Sequence, residues 1–140
     1  MPPNKEPVFA LTPNCPTASL GTTPNTASDG SGTLIDLFTA GANGSRVDEI
    51  RFINAQAAPA LSSAMLGKMF ITDSAGANPR YHDEVAIAAA TRAAGTVGAK
   101  QTIAFPGGLH LAAGQKIKVC QSVYAGVQDL MHATARGGDF

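Results

Sequence analysis

From residue 33 onward, apolar positions recur every second residue over short runs, and Gly, Pro, Asn and Asp punctuate them. A period of two sends successive side chains to opposite faces, so each run reads as a β-strand with one face buried. The run Thr33–Ala40 ends at Gly41-Ala42-Asn43-Gly44, where the Asn-Gly step predicts a tight hairpin into a second strand, Val47–Ala55. In that second strand Ile50 and Phe52 share one face while Glu49 and Arg51 share the other. After a linker, Met65–Thr72 is the next strand, closed by the turn residues from Asp73 to Pro79. Tyr81–Ala90 places Tyr81, Asp83, Val85 and Ile87 on one face and His82, Glu84 and Ala86 on the other. Ala86–Ala94 carries opposed signals, because its alanines favour helix while Ile87 and Thr91 favour strand. Lys100–Phe105 brings Ile103 and Phe105 together, and Pro106-Gly107-Gly108 predicts a bend before Leu109-His110-Leu111. Gln115–Val123 turns Ile117, Val119 and Val123 inward, and Leu130–Arg136 runs into Gly137-Gly138-Asp139-Phe140.

Seven or eight short strands with this turn chemistry predict an all-β fold, a single-domain antiparallel β-sandwich of jelly-roll or Greek-key type. Its expected core is Ile50, Phe52, Phe70, Val85, Ile87, Ile103, Phe105, Leu109, Leu111, Ile117 and Val119. Heptads, fixed-period repeats and βαβ alternation are all missing from the sequence, which removes coiled coils, solenoids and Rossmann-type folds. Residues 1–32 differ in kind: Pro2, Pro3, Pro7, Pro13, Pro16 and Pro24 lie among Asn, Thr, Ser and Gly. Proline holds φ near about −65° and lacks a donor, so this stretch is expected to be an extended N-terminal arm leading into a β-sandwich domain at 33–140. Val8, Phe9 and Leu11 are its apolar anchors for a neighbouring subunit.

Composition narrows the function classes. The chain has 140 residues, with ten basic and ten acidic side chains, giving zero formal charge. A protein held on nucleic acid by phosphate neutralisation needs a basic excess, so no nucleic acid is expected as a partner. Charged residues make up only 14%, against roughly 25% in an average soluble domain, which suggests that partner subunits cover part of the surface. The apolar runs are far shorter than the roughly 18 residues that span a bilayer, and the opening residues lack a signal-peptide core. No membrane partner is expected, and the chain reads as made in a cytoplasm, with Cys15 and Cys120 as free thiols.

The search for chemistry yields little. His82, His110 and His132 stand singly, without the i, i+4 or CxxC spacing of metal ligands, and strand alternation leaves only His82 beside Glu84. Gly95-Thr96-Val97-Gly98-Ala99-Lys100 lacks the Gly-Lys-Ser/Thr end of a phosphate loop, and Asp29-Gly30-Ser31-Gly32 has too few carboxylates for a calcium loop. No Gly-x-Ser-x-Gly is present, and Trp is absent as a sugar platform. The expectation is no catalytic, cofactor-binding or metal-binding residue, and no cofactor.

Three stretches carry a resemblance. Thr33 to Ile50, the segment Pro106-Gly107-Gly108-Leu109-His110-Leu111-Ala112-Ala113-Gly114-Gln115-Lys116-Ile117-Lys118-Val119, and the end Ala135-Arg136-Gly137-Gly138-Asp139-Phe140 together resemble small tailed-bacteriophage and prophage virion proteins. The resemblance implies a non-enzymatic cement or decoration protein on the outer surface of the phage head, bridging subunits of the major capsid protein. Self-association is expected as well, as a trimer rather than a dimer. A tail-fibre or receptor-binding module and a β-sandwich carbohydrate-binding module are the alternative readings.

Overall fold

A computed structural model describes residues 12–56, 60–93 and 95–140. Within them lie eleven strands: β1 (Thr12–Asn14), β2 (Thr17–Ser19), β3 (Ile35–Thr39), β4 (Ser45–Asn54), β5 (Ala60–Leu61), β6 (Met65–Ile71), β7 (Arg80–Ile87), β8 (Thr91–Arg92), β9 (Lys100–Leu111), β10 (Lys116–Gln121) and β11 (Met131–Asp139). A single 3-10 turn, Val127–Asp129, precedes the last strand. Among the described residues no helix is long and apolar enough to cross a membrane.

The first sheet runs β1-β11-β4-β9, with β2 also pairing β11, and the second runs β3-β10-β6-β7. The two-residue strands β5 and β8 pair with each other. Treating β1 and β2 as one interrupted strand and leaving β5 and β8 aside, eight strands remain. The first pairs with the last, β3 with β10, β4 with β9 and β6 with β7, all antiparallel. This is one long antiparallel ribbon wrapped around a core, which is a jelly roll. The sandwich expected from alternation is therefore present, and its winding is defined.

The expected hairpin is not. β3 belongs to the second sheet and β4 to the first, so Gly41–Gly44 carries the chain across the sandwich instead of folding two neighbours together. A two-residue type I′ turn needs positive φ at two successive residues, whereas here only Gly44 has it, at 85°. The Gly44 N–H donates to the Gly41 carbonyl at 3.0 Å, closing a turn that changes sheets.

The core fills the space between the sheets with Phe38, Val47, Ile50, Phe52, Met69, Ile117, Val119 and Met131, all essentially inaccessible. Phe52 of the first sheet lies over Gly67 of the second, where an added Cβ would stand 3.1 Å from the ring. Ala133 and Ala135 hold the β11 side of the core, so small residues face large ones across the layer. Ile87, Ile103 and Leu111 are buried as expected, while Val85, Phe105 and Leu109 are half-buried against the same cluster. Phe70 is fully buried but lies outside that cluster, on the outer face of the second sheet.

Three bulges revise the reading of faces. Opposite Asp48, β9 spends Phe105 to Gly108, so the bend expected at Pro106-Gly107-Gly108 is a bulge within one long strand. Asp48 is also the extra residue in the β4–β11 pairing. On β7, Phe70 pairs with Tyr81 and Met69 with Asp83, which leaves His82 as an inserted residue. One inserted residue reverses the alternation, so Tyr81 and Asp83 stand on opposite faces and His82 is no longer beside Glu84. Of the ambiguous stretch Ala86–Ala94, Ala86 and Ile87 are strand in β7 and Thr91 and Arg92 in β8, residues 88–90 connect them without helix, and Ala94 lies outside the described residues; β7 stays extended through its backbone pairing to β6.

Candidate functional site

The conspicuous end of the chain closes the fold. At the β11 bulge, a Cβ on Gly137 would lie 2.2 Å from the Arg46 carbonyl oxygen, so the two backbones meet only because the residue is glycine. Two residues on, the Asp139 carboxylate accepts the Ser45 hydroxyl and the Asn14 side-chain amide. The Ser45 hydroxyl, with lesser help from Asn14 and the Gly41 N–H, holds the Asp139 carboxyl below the usual carboxylate range. The Phe140 N–H donates to the Gly44 carbonyl at 3.1 Å, and the Asn43 side-chain amide donates to the Phe140 carbonyl at 3.3 Å. The Phe140 ring packs edge-on against His110 at 5.8 Å. Gly-Gly-Asp-Phe is thus a clasp that joins β1, β11 and the crossover between sheets.

A roof covers the second sheet. The sequence between β2 and β3, read as part of an arm, lies on this chain's own body. Leu20 enters the core, and the Asn25 N–H donates to the Gln121 carbonyl at 2.9 Å. The buried Asn25 side chain donates to the Ser31 and Thr33 carbonyls and accepts the Ala27 N–H, which folds the segment over itself. Beneath it Lys68 is only 4% exposed, and its ammonium donates to the Thr26 carbonyl at 2.7 Å, the Ala27 carbonyl at 3.3 Å and the Ser28 hydroxyl at 3.1 Å. A buried ammonium is tolerated only when its hydrogens are satisfied, and here the roof supplies the acceptors. Cys120 lies under the same roof, and burial pushes its thiol up to about 11. Phe70 meets Tyr81 edge-on at 5.5 Å, and Lys68 stands 6.0 Å from the Tyr81 ring. Burial, followed by the hydrogen bond to Glu84, pushes the Tyr81 hydroxyl up to about 12.

The outer face of the first sheet has no such cover among the described residues. Cys15, Glu49, Arg51, Ile53, Thr134 and Arg136 line a shallow groove of about 380 Å³ there. Register explains the grouping: Thr134 stands opposite Arg51, and Arg136 opposite Glu49, so β4 and β11 point these side chains to one face. Ile53 is one of the few large apolar side chains left exposed. Arg51 is only loosely paired with Glu49, at 3.8 Å, and neither Arg136 nor Lys100 forms an ion pair among the described residues. The groove therefore combines an apolar floor with spare guanidinium groups.

The residues singled out by sequence fall as follows. Val8, Phe9 and Leu11 lie outside the described residues. Cys15 is exposed beside the groove and Cys120 is buried under the opposite sheet, so the whole sandwich stands between the two thiols. His82 faces Phe105 with ring centres 6.3 Å apart, His110 faces Phe140, and His132 stands opposite Ile53, so the three histidines are dispersed. No group of three or more His, Cys, Asp or Glu side chains suited to a metal ion occurs among the described residues. Sequence reasoning missed the buried carboxylate of Asp129. It accepts the Ser63 N–H at 2.7 Å, the Ser63 hydroxyl at 3.1 Å and the Ala125 N–H at 2.7 Å. Gln121 donates to the carbonyls of Val123 and Asp129, so this polar network pins the loop before β11. A lone acid among turn residues carries no periodic signal that would have revealed it.

No protein-family model matches the chain, and no curated protein does. Three solved structures show a distant likeness in shape. A chain in the crystal structure of the T13 viral particle of infectious bursal disease virus is 19% identical with a TM-score of 0.33, over 91% of this chain and 30% of that one. Chains of the Gt and Gx strains of the same virus are 19% and 17% identical, each with a TM-score of 0.30, over 91% of this chain and 31% of theirs. This chain thus spans under a third of the length of the viral chains it is similar to.

Proposed function

We propose that the protein is a non-enzymatic structural component of a virion, a cement or decoration protein that binds the outer surface of a phage head and bridges neighbouring subunits of the major capsid protein. The observation that carries this reading is the unequal treatment of the two sheets. Among the described residues, the chain roofs its own second sheet with residues 20–34 and leaves the outer face of the first sheet uncovered, with Ile53, Arg51 and Arg136 outward. A jelly roll needs only one core, so a bare face with an exposed apolar side chain and free guanidinium groups is a surface suited to contact. Jelly rolls recur in capsid and lectin domains, and the resemblance of the three sequence stretches to phage virion proteins favours the capsid side of that division.

Val8, Phe9 and Leu11 are the proposed anchors to the capsid. They precede Thr12, which pairs with Asp139 at the last residues of β11, so the segment enters the fold at the rim of the sheet. An extended segment there can add backbone hydrogen bonds to a neighbour's sheet edge. Repetition over a lattice multiplies a modest contact, because several tethered sites must open together before a subunit leaves. The test is to mix the labelled protein with heads of the virus that encodes it, sediment them and count copies. Binding in hundreds of copies over the head, with heads more resistant to heat, is the expected result. A handful of copies confined to the tail would replace this reading with receptor binding.

A further inference from the structure

The outer face of the first sheet carries a line of cations. Register sets it out: Arg136 of β11 stands opposite Glu49 of β4, and Lys100 of β9 stands opposite Ile53 of β4. Arg136, Arg51 and Lys100 therefore fall on one diagonal over three adjacent strands, each step crossing one strand and advancing two residues. All three are exposed. Arg136 and Lys100 form no ion pair among the described residues, and Arg51 has only the 3.8 Å contact with Glu49. Diagonal neighbours on a sheet face stand about 7–8 Å apart, close to the roughly 7 Å between alternate residues of an extended chain. Three carboxylates at alternate positions of one extended segment thus meet the three cations in turn. Ile53, next to Arg51 along β4 and across from Lys100, adds an exposed apolar contact beside the line.

The occupant follows from what the face and the chain lack. Glu49, Ile53, Thr102, Ala104, His132 and Thr134 surround the line, without the Phe, Tyr or Trp on which unpaired bases stack. Three cations beside one carboxylate are also few for a duplex, whose binding rests on neutralising many phosphates. The ten acidic residues of this chain never stand two apart in its sequence, so neither residues 1–11 nor a strand of a second copy supplies the pattern. We infer that the outer face of the first sheet binds an extended acidic segment of a different polypeptide, its alternate carboxylates paired with Arg136, Arg51 and Lys100. The identity of that polypeptide as the capsid subunit rests on the function proposed above. Peptide binding needs no heads, so failure of the acidic segment and failure of the capsid role are separate results.

The test titrates the full chain into a dye-labelled peptide, Thr-Asp-Thr-Asp-Thr-Asp-Thr, and reads fluorescence anisotropy at about 20 mM salt, where charges are little screened. Binding is expected, weaker by at least about tenfold at about 0.3 M salt. A peptide of the same composition with its three aspartates consecutive should bind at least about fivefold more weakly, since its charges miss the spacing. Arg51→Glu should weaken binding by about tenfold. Arg80→Glu makes the same change in net charge at an exposed arginine of the other sheet and should leave binding within about twofold. Arg51→Glu, Lys100→Glu and Arg136→Glu together should abolish it and instead bind the peptide with lysine in place of aspartate. Circular dichroism melts on each variant confirm that the fold is intact. The proposal is overturned by absence of binding, by equal affinity for the two aspartate peptides, or by equal losses in Arg51→Glu and Arg80→Glu. Tighter binding of a thymidine heptanucleotide than of the alternating peptide overturns it as well, in favour of a phosphate ligand.

Discussion

Gly137 and Asp139 show how single residues set the fold's closure. Alanine at 137 would drive its Cβ to 2.2 Å from the Arg46 carbonyl, a contact with backbone that no rotamer can relieve. The expected cost of Gly137→Ala is about 3 kcal/mol, the upper range of overpacking penalties, read as a lower denaturation midpoint. Gly107→Ala is the comparison: φ is 83° there but the space around it is open, so strain alone should cost about 1 kcal/mol. Asp139 makes a pH prediction. Its carboxyl is held below the ordinary range in the folded chain, chiefly by the Ser45 hydroxyl, so its contribution is fully present above the unfolded value of about 3.9. It is lost as pH falls through the lower folded value. Thermal melts between about pH 2 and 6 should therefore show a stability step in the native chain that is smaller in Asp139→Asn, the remainder coming from Asp29, Asp36 and Asp73, whose carboxyls are also held low by their hydrogen bonds.

At the scale of elements, the strands were legible because alternation is local, and their partners were not because pairing is long-range. Val47–Ala55 could be read from Ile50 and Phe52 alone, but nothing between Thr33 and Ala55 tells that β3 and β4 enter different sheets. The faces of β7 were misassigned for a related reason: the inserted His82 is visible only in the register with β6. The outward pair Glu49 and Arg51 was readable, yet the groove also needs Cys15 and Arg136, which only the β11 pairings bring alongside. The roof had no periodic signal at all, since Asn25 organises it through side-chain bonds to irregular backbone. Its role yields a thiol prediction. In the folded chain at about pH 8, Cys15 should alkylate readily, while Cys120, with its thiol pushed up to about 11 and buried, should resist. Lys68→Ala removes the ammonium that holds Thr26, Ala27 and Ser28, so the Cys120 rate should rise by at least about tenfold with Cys15 unchanged. Equal Cys120 rates in the two proteins would mean that Lys68 does not latch the roof.

At the scale of the whole molecule, composition drew a boundary at residue 33, whereas packing ties the chain together from Thr12. β1 and β2 are the first strand of the jelly roll, pairing with β11 at Gly137 to Asp139 and at His132 to Thr134. Pro13 and Pro16 are compatible with that position because the strand lies at a sheet edge, where a missing donor can face solvent. A chain shortened to begin at Thr33 loses β1, β2, the buried Leu20, the Asn14 bond to Asp139 and the acceptors of Lys68. Removing Leu20 alone from the core corresponds to about 3 kcal/mol, and stripping the roof adds to it by exposing the outer face of the second sheet around Lys68 and Cys120, so this chain should be unfolded or open to protease at room temperature. A chain beginning at Thr12 keeps every one of these contacts and should melt within about 5 °C of the full protein. The two truncations therefore separate architecture from docking. If Val8, Phe9 and Leu11 anchor the protein to capsids, the Thr12 chain folds but sediments with heads at least about tenfold more weakly, a loss near 1.4 kcal/mol. Binding as tight as that of the full chain would transfer the whole of the attachment to the open face of the first sheet.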